Sequence, residues 1–402
     1  MTNPLRRKLL RPLAAVTCAC LLLCSPAVAA AAPDHGRGTV LSADPVQRLD
    51  FADVPAAIDY FGPGTVRYGV DAYRVTYRTV DVRGRRTTAS GLVVVPRGGS
   101  GRFAVWEHGT RSSRREVGSS EPATLDRKAA LLLGASGYVT VAPDYLGLGD
   151  GPGFHPYMDS ATEVSASVDL MHAARDLVHA KGNSRVMVTG FSQGGQAAMA
   201  LAKELQGGVP HFELAAVAPI SGPYDVRGAE LPGVFNGEVA PDVAVFYLSY
   251  WTVSMNRLFP LYRKASEVFR APYDQYAESL FDGSHSEPEI FPKLAPTPQE
   301  MFTDAYLARM RHPSGALLAA TRASDGTCSW RPRVPVLLFA SPADTQVTIT
   351  NSRHCQAELR AHGVDAPLVE LPGVEHLDTP IPALPQIIRW FSGLGGAPRS
   401  AS

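Results

Sequence analysis

The sequence predicts an α/β fold: a mostly parallel sheet of eight strands, helices on both faces, and a large helical insertion late in the chain. Three observations carry this. Short buried strands alternate with amphipathic helices from Phe103 to Ile220 and again from Val334 to Phe391, and parallel neighbours need such helical crossovers. Two strand-like runs joined by a tight turn come before the alternation. Between Ile220 and Val334 the rhythm breaks, which marks a segment inserted above the sheet.

The order of elements follows from periodicity. Val66, Tyr68, Val70, Tyr73, Val75, Tyr77 and Val80 mark an extended run from Thr65 to Val82. Gly84-Arg85-Arg86 turns it into a second strand, Thr87 to Val95, and the two read as an antiparallel pair at the sheet edge. Further strands are predicted at Phe103 to Glu107, Tyr138 to Ala142, Arg185 to Thr189, Leu214 to Ile220, Val334 to Ala340 and Pro367 to Leu371. The helices between them run from Leu125 to Ala135, Thr162 to Ala180, Gly194 to Leu205, Ile349 to His362 and Leu384 to Phe391. In the second of these, Val164, Val168, Met171, Ala174 and Val178 share one face. The core therefore comprises residues 65–223 and 333–396, with residues 224–332 as a cap. In that cap, Asp242 to Leu261 reads as one helix crowded with aromatic residues. Phe246, Tyr250 and Trp251 are expected both to pack a small core and to line an apolar cleft.

Composition narrows the function classes. Of 402 residues, 45% are hydrophobic and 19% charged, enough for a large core. The 38 Lys and Arg balance 38 Asp and Glu, so there is no basic excess and no nucleic-acid partner is expected. At the start, Arg6, Arg7, Lys8 and Arg11 precede an apolar run from Leu13 to Leu23 and then Ala27-Val28-Ala29. This is the pattern of an export signal, residues 1–29, with cleavage after Ala29 or alternatively after Ala32, followed by a lead-in over residues 30–64 in which Ala30 to Phe51 is expected to be mobile. The run is too short to span a bilayer at ~20 apolar residues. The residues preceding Cys18, Cys20 and Cys24 fit a lipidation site poorly. The mature protein is thus expected outside the cell and as a monomer. Removing the signal leaves Cys328 and Cys355, which in an oxidising compartment are expected to form a disulfide.

The chemistry is read from one constellation. Gly190-Phe191-Ser192-Gln193-Gly194 matches G-x-S-x-G between a predicted strand and a predicted helix. Flanking glycines allow the sharp turn that leaves a serine hydroxyl exposed above a sheet. A serine is a weak nucleophile and needs a base held by a third group. Asp344, after the strand ending at Ala340, and His376, after the strand ending at Leu371, stand at later strand tips in the order Ser, Asp, His. The interval between them holds one helix and one strand. Oxyanion donors are expected from the backbone N–H of Gln193 and of Thr110, in His108-Gly109-Thr110 after another strand tip. His108 is expected to shape that loop. Asp144 to Asp150 is expected at the pocket rim, with Tyr145 touching substrate.

His-Gly-Thr at 108–110, Pro-Asp-Tyr-Leu-Gly-Leu-Gly at 143–149 and Gly-Phe-Ser-Gln-Gly-Gly at 190–195 together resemble the secretory lipase family of the α/β-hydrolases. The resemblance spans roughly Phe103 to Phe391 and includes the place of the cap. It implies hydrolysis of acylglycerols or simpler apolar carboxylic esters, with no metal and no organic cofactor, and allows transient contact with a lipid interface. By position it puts the nucleophile on Ser192, the acid on Asp344 and the base on His376. One departure is that Ser341-Pro342-Ala343-Asp344 lacks the glycine often found before the acid. Two other readings fit the same residues. The triad also serves peptidases, and Glu230, Glu238 and Asp242 in the cap could hold a peptide amino terminus. A binding protein without catalysis could also stand on such a scaffold.

Overall fold

The architecture is described from a computed structural model over residues 36–61, 65–99 and 101–394. The predicted export signal lies outside the described residues. Nine strands form one sheet: β1 Val40–Leu49, β2 Val70–Val80, β3 Arg86–Pro96, β4 Phe103–Glu107, β5 Val139–Pro143, β6 Ser184–Phe191, β7 Phe212–Ile220, β8 Leu338–Ala340 and β9 Leu368–Glu370. Their order across the sheet is β1-β2-β3-β5-β4-β6-β7-β8-β9. The pairs β1–β2, β2–β3 and β3–β5 are antiparallel, and every pair from β5 onward is parallel.

The crossovers are α1 Leu125–Ala135, α2 Ser160–Leu177 and α3 Gln193–Gly208, followed after the insertion by α5 Ile349–Ala361 and α6 Pro380–Leu394. Thr124 caps α1 by accepting the Arg127 N–H at 3.1 Å, and the Asp159 carboxylate caps α2 through Thr162 N–H at 3.1 Å. The central strands are buried on both faces, as parallel strands between helix layers must be. In β4, Phe103 and Val105 join the apolar cluster on one face, while Ala104 and Trp106 join that on the other.

Among the described residues the sheet thus has nine strands rather than eight. The extra one, β1, forms where a mobile lead-in was expected, and it displaces β2–β3 from the edge. Ser42, Asp44, Pro45 and Gln47 disfavour strands in general, but an edge strand tolerates proline because one side of its backbone needs no partner. The pairing with β2 shifts register between Pro45 and Gln47. Strand β8 is shorter than predicted. Pro335 has no N–H to give the ladder, and before Leu338 only an isolated bridge joins Val336 to Val217.

Between β7 and β8 the chain forms short helices around one longer one, α4 Pro241–Asn256. This insertion has a core of its own, in which Phe246 stacks on Phe291 with ring centroids 4.9 Å apart. Below it, Cys328 and Cys355 are joined in a disulfide, as expected, tying the segment before β8 to α5. Among the described residues no helix is long and apolar enough to cross a membrane.

Candidate active site

Ser192 sits on the turn from β6 to α3 with φ 56° and ψ −123°. A non-glycine residue held there is strained, and the surroundings must enforce it. They do so by close approach: a Cβ on Gly190 would lie 2.3 Å from the Gly194 carbonyl oxygen, and one on Gly194 would lie 2.0 Å from that of Glu107. Only glycines let β4, β6 and α3 meet this closely.

The turn brings Ser192 Oγ to 2.9 Å from His376 Nε2, and His376 Nδ1 to 2.6 Å from Asp344 Oδ2. A carboxylate only accepts, so Nδ1–H donates to Asp344 and leaves Nε2 free to accept the serine proton. All three side chains are buried. Asp344 is held by the N–H groups of Gln346 and Val347, both donating to Oδ1 at 2.9 Å. Where glycine was missing before the acid, the Ser341 hydroxyl makes the turn by accepting the Ala343 N–H at 3.1 Å. The Phe191 ring lies 4.8 Å from the imidazole and packs against it.

Gln193 opens α3, so its N–H has no partner within the helix. Neither it nor the Thr110 N–H is hydrogen-bonded among the described residues. The Thr110 hydroxyl is engaged with that of Tyr157 at 2.8 Å. His108 shapes its loop, with Nδ1 2.6 Å from the Gly109 carbonyl and Nε2 3.2 Å from that of Asp144.

A cavity of about 60 Å³ opens beside Ser192 and Gln193. Its walls are mainly Tyr157, Met158, Val226, Leu231, Leu248 and Trp251, with Glu230 as the one carboxyl among the described residues. Of the four predicted substrate contacts, only Trp251 lines it. Phe246 and Tyr250 are corrected: α4 turns Tyr247, Leu248 and Trp251 toward the cavity and buries the other two in the insertion's own core. Tyr250 stacks on Tyr157 with centroids 4.3 Å apart and donates to the Arg111 carbonyl at 3.0 Å, supporting the wall from behind. Tyr145 is corrected as well. It lies buried against His108 and His155, and the loop it belongs to is structural rather than a rim. Asp144 there accepts from Ser90 at 2.7 Å and Ser119 at 2.6 Å.

Sequence reading did not single out Tyr157, Met158, Val347 or Met310, which lie in loops or on short helices without a motif. Of the three cap acids, Glu230 reaches the cavity while Glu238 and Asp242 are exposed. Burial pushes the Glu230 carboxyl up to about 8, against the lowering effect of a hydrogen bond from Asn351. Burial likewise pushes Glu107, at the end of β4, up to about 7 and His155 down to about 3.

No family model and no curated protein matches this sequence. Solved structures do. A putative hydrolase from Legionella pneumophila superposes with a TM-score of 0.81 at 23% identity, over 90% of this chain and 99% of that one. The rice cell wall degrading esterase LipA from Xanthomonas oryzae gives a TM-score of 0.77 at 27% identity, over 89% of this chain and 98% of that one. Candida antarctica lipase A in its closed state gives 0.64 at 16% identity, over 89% and 83% of the two chains. The chain has the α/β-hydrolase fold, in the form shared by these esterases and lipases.

Proposed function

We propose that this protein is a secreted serine hydrolase that cleaves carboxylic esters carrying apolar chains, through an acyl-enzyme. The observation that carries the reading is the unbroken chain Ser192 to His376 to Asp344 at 2.9 Å and 2.6 Å, beside an apolar cavity. The likeness to an esterase and a lipase supports the bond class, and the disulfide supports an oxidising, extracellular location.

In this reading His376 Nε2 takes the proton of Ser192 as Oγ attacks the ester carbonyl. Asp344 keeps the imidazole in the tautomer that can accept, and stabilises the imidazolium once it forms. The oxyanion is held by the N–H groups of Gln193 and Thr110, already free of other partners. The alcohol leaves with the proton from His376, and water then repeats the sequence on the acyl-enzyme. Residues 224–332 act as a cap whose α4 face, Leu248 and Trp251, meets the substrate chain.

The test is hydrolysis of short p-nitrophenyl esters together with labelling by a fluorophosphonate. Wild type is expected to turn over the esters and to be labelled once, at Ser192, and Ser192→Ala to do neither. Retained turnover in Ser192→Ala would sink the assignment.

A further inference from the structure

Among the described residues Glu230 is the one carboxyl in the wall of a mainly apolar cavity, and hydrogen bonds fix its geometry. It stands immediately before the short helix Leu231–Asn236. Its Oε2 accepts from Asn351 Nδ2 at 2.7 Å. Asn351 is fully buried in the first turn of α5, and its own Oδ1 accepts the Asp225 N–H at 3.4 Å. One carboxyl oxygen is thereby held by a donor. Oε1 has no hydrogen-bond partner among the described residues.

A cavity meant only for alkyl chains would gain nothing from this arrangement. Glu230 is half-buried and its Oε1 stays open to the cavity, so an apolar chain lodged there would strip that oxygen of water without giving it a partner, at a cost in free energy. Polar groups set into an apolar ligand cavity are the ones that select a polar feature of the ligand. Burial favours the uncharged carboxyl at neutral pH, and a neutral acid both donates and accepts. It suits a hydroxyl better than an ammonium, which would have to shed its hydration shell for a partner without full charge.

We propose that Glu230 is a specificity residue that hydrogen-bonds a hydroxyl on the substrate chain lodged beside Ser192, so that hydroxylated esters are preferred to plain ones of equal length. This rests on the reading of Ser192 as the nucleophile. The shared chemistry is a hydroxyl on an apolar chain, carried by either the acyl or the alcohol portion.

Two series separate those sources. In the first, p-nitrophenyl hexanoate is compared with p-nitrophenyl hydroxyhexanoates bearing the hydroxyl at successive carbons. In the second, hexyl acetate is compared with hydroxyhexyl acetates. Wild type is expected to favour at least one hydroxylated member by roughly 3–10-fold in kcat/KM, the equivalent of one net hydrogen bond. Glu230→Leu is expected to bring that ratio to about one. Glu230→Gln, which retains an acceptor for Asn351 and a polar group for the cavity, is expected to keep most of it. Absence of any preference in wild type, or its survival in Glu230→Leu, overturns the proposal. Binding of methyl hexanoate and methyl hydroxyhexanoates to Ser192→Ala, followed by calorimetry, separates this from failure of the nucleophile assignment. A Glu230-dependent preference in binding sustains the role of Glu230 even if wild type turns over no ester. Equal binding across the series counts against it.

Discussion

The side-chain amide of Gln193 donates to Glu163 Oε1 at 2.7 Å and stands 3.0 Å from His155 Nε2, so the residue after the serine is clamped from two sides. His155 Nδ1 lies 3.0 Å from the Leu146 carbonyl, which can only accept, so the proton is on Nδ1 and Nε2 accepts from Gln193. Burial, by holding the imidazole neutral, favours the same arrangement. These contacts fix the Gln193 side chain and so restrain the first residue of α3, whose backbone N–H stands beside Ser192.

Glu163→Ala is expected to lower kcat by roughly 10–100-fold with little change in KM, less than the ~10²–10³ typical of losing an oxyanion donor outright. Glu163→Gln, which keeps a carbonyl acceptor for Gln193, is expected to recover most of it. Steady-state kinetics on a p-nitrophenyl ester, with the rate of fluorophosphonate labelling, checks both. A rise in KM at unchanged kcat would assign Glu163 to binding instead.

Glu107 is fully buried, with the hydroxyls of Ser167 and Tyr145 beside it but neither in hydrogen-bonding geometry. Burial pushes its carboxyl up from the usual range near 4.5 to about 7 in the folded protein. Between those pH values the folded state binds the extra proton, so stability falls as pH rises, by ~1.4 kcal/mol per pH unit at most from this group. Above about 7 its contribution is level. Glu107→Gln is expected to remove that slope, so the stability gap between variant and wild type should change from pH 5 to pH 7.5. Urea unfolding at the two pH values measures it; a gap independent of pH would contradict the prediction.

The disulfide closes a segment with a sequence separation of 27 between Cys328 and Cys355. Chain-entropy arguments give a loop of that size about 3–4 kcal/mol. Cys328→Ser with Cys355→Ser is expected to lose stability of that order in denaturant unfolding while kcat is retained, because neither residue lines the cavity. Loss below about 1 kcal/mol would show that the unfolded chain is little constrained by the bridge.

Leu248 faces the cavity from α4 beside Trp251. Leu248→Trp is expected to fill much of a space of about 60 Å³ and to shift preference toward shorter acyl chains. The measurement is the ratio of kcat/KM for p-nitrophenyl acetate and octanoate. An unchanged ratio would place the acyl chain elsewhere.

The motif residues were legible because their chemistry is local. A serine between glycines at a strand-to-helix turn, with an acid and a histidine at later strand tips, follows from the order of elements along the chain. The turn at Ser192 is legible through Gly190 and Gly194, whose Cβ positions are excluded by contacts with neighbouring backbone. The helix at α4 was equally visible, but its exposed and buried faces were not. Phe246, Tyr247, Tyr250 and Trp251 are apolar around the whole circumference, so periodicity cannot distinguish the face toward the insertion's core from the face toward the cavity. Strand β1 was hidden for a related reason: its residues have weak strand preference, and pairing with β2 overrides it.

Short-range pattern and residue type are enough for the α/β class, the order of the core strands from Thr65 onward, the pairing of Cys328 with Cys355 and the three residues to examine for catalysis. Tertiary structure alone decided which side chains surround Ser192. Glu163 and His155 gather around Gln193, and Tyr157, Glu230 and Leu248 wall the cavity, although these residues are far apart in the chain. Their meeting depends on how α2, α4 and the intervening loops fold over the sheet, and that packing is a property of the whole chain rather than of any segment.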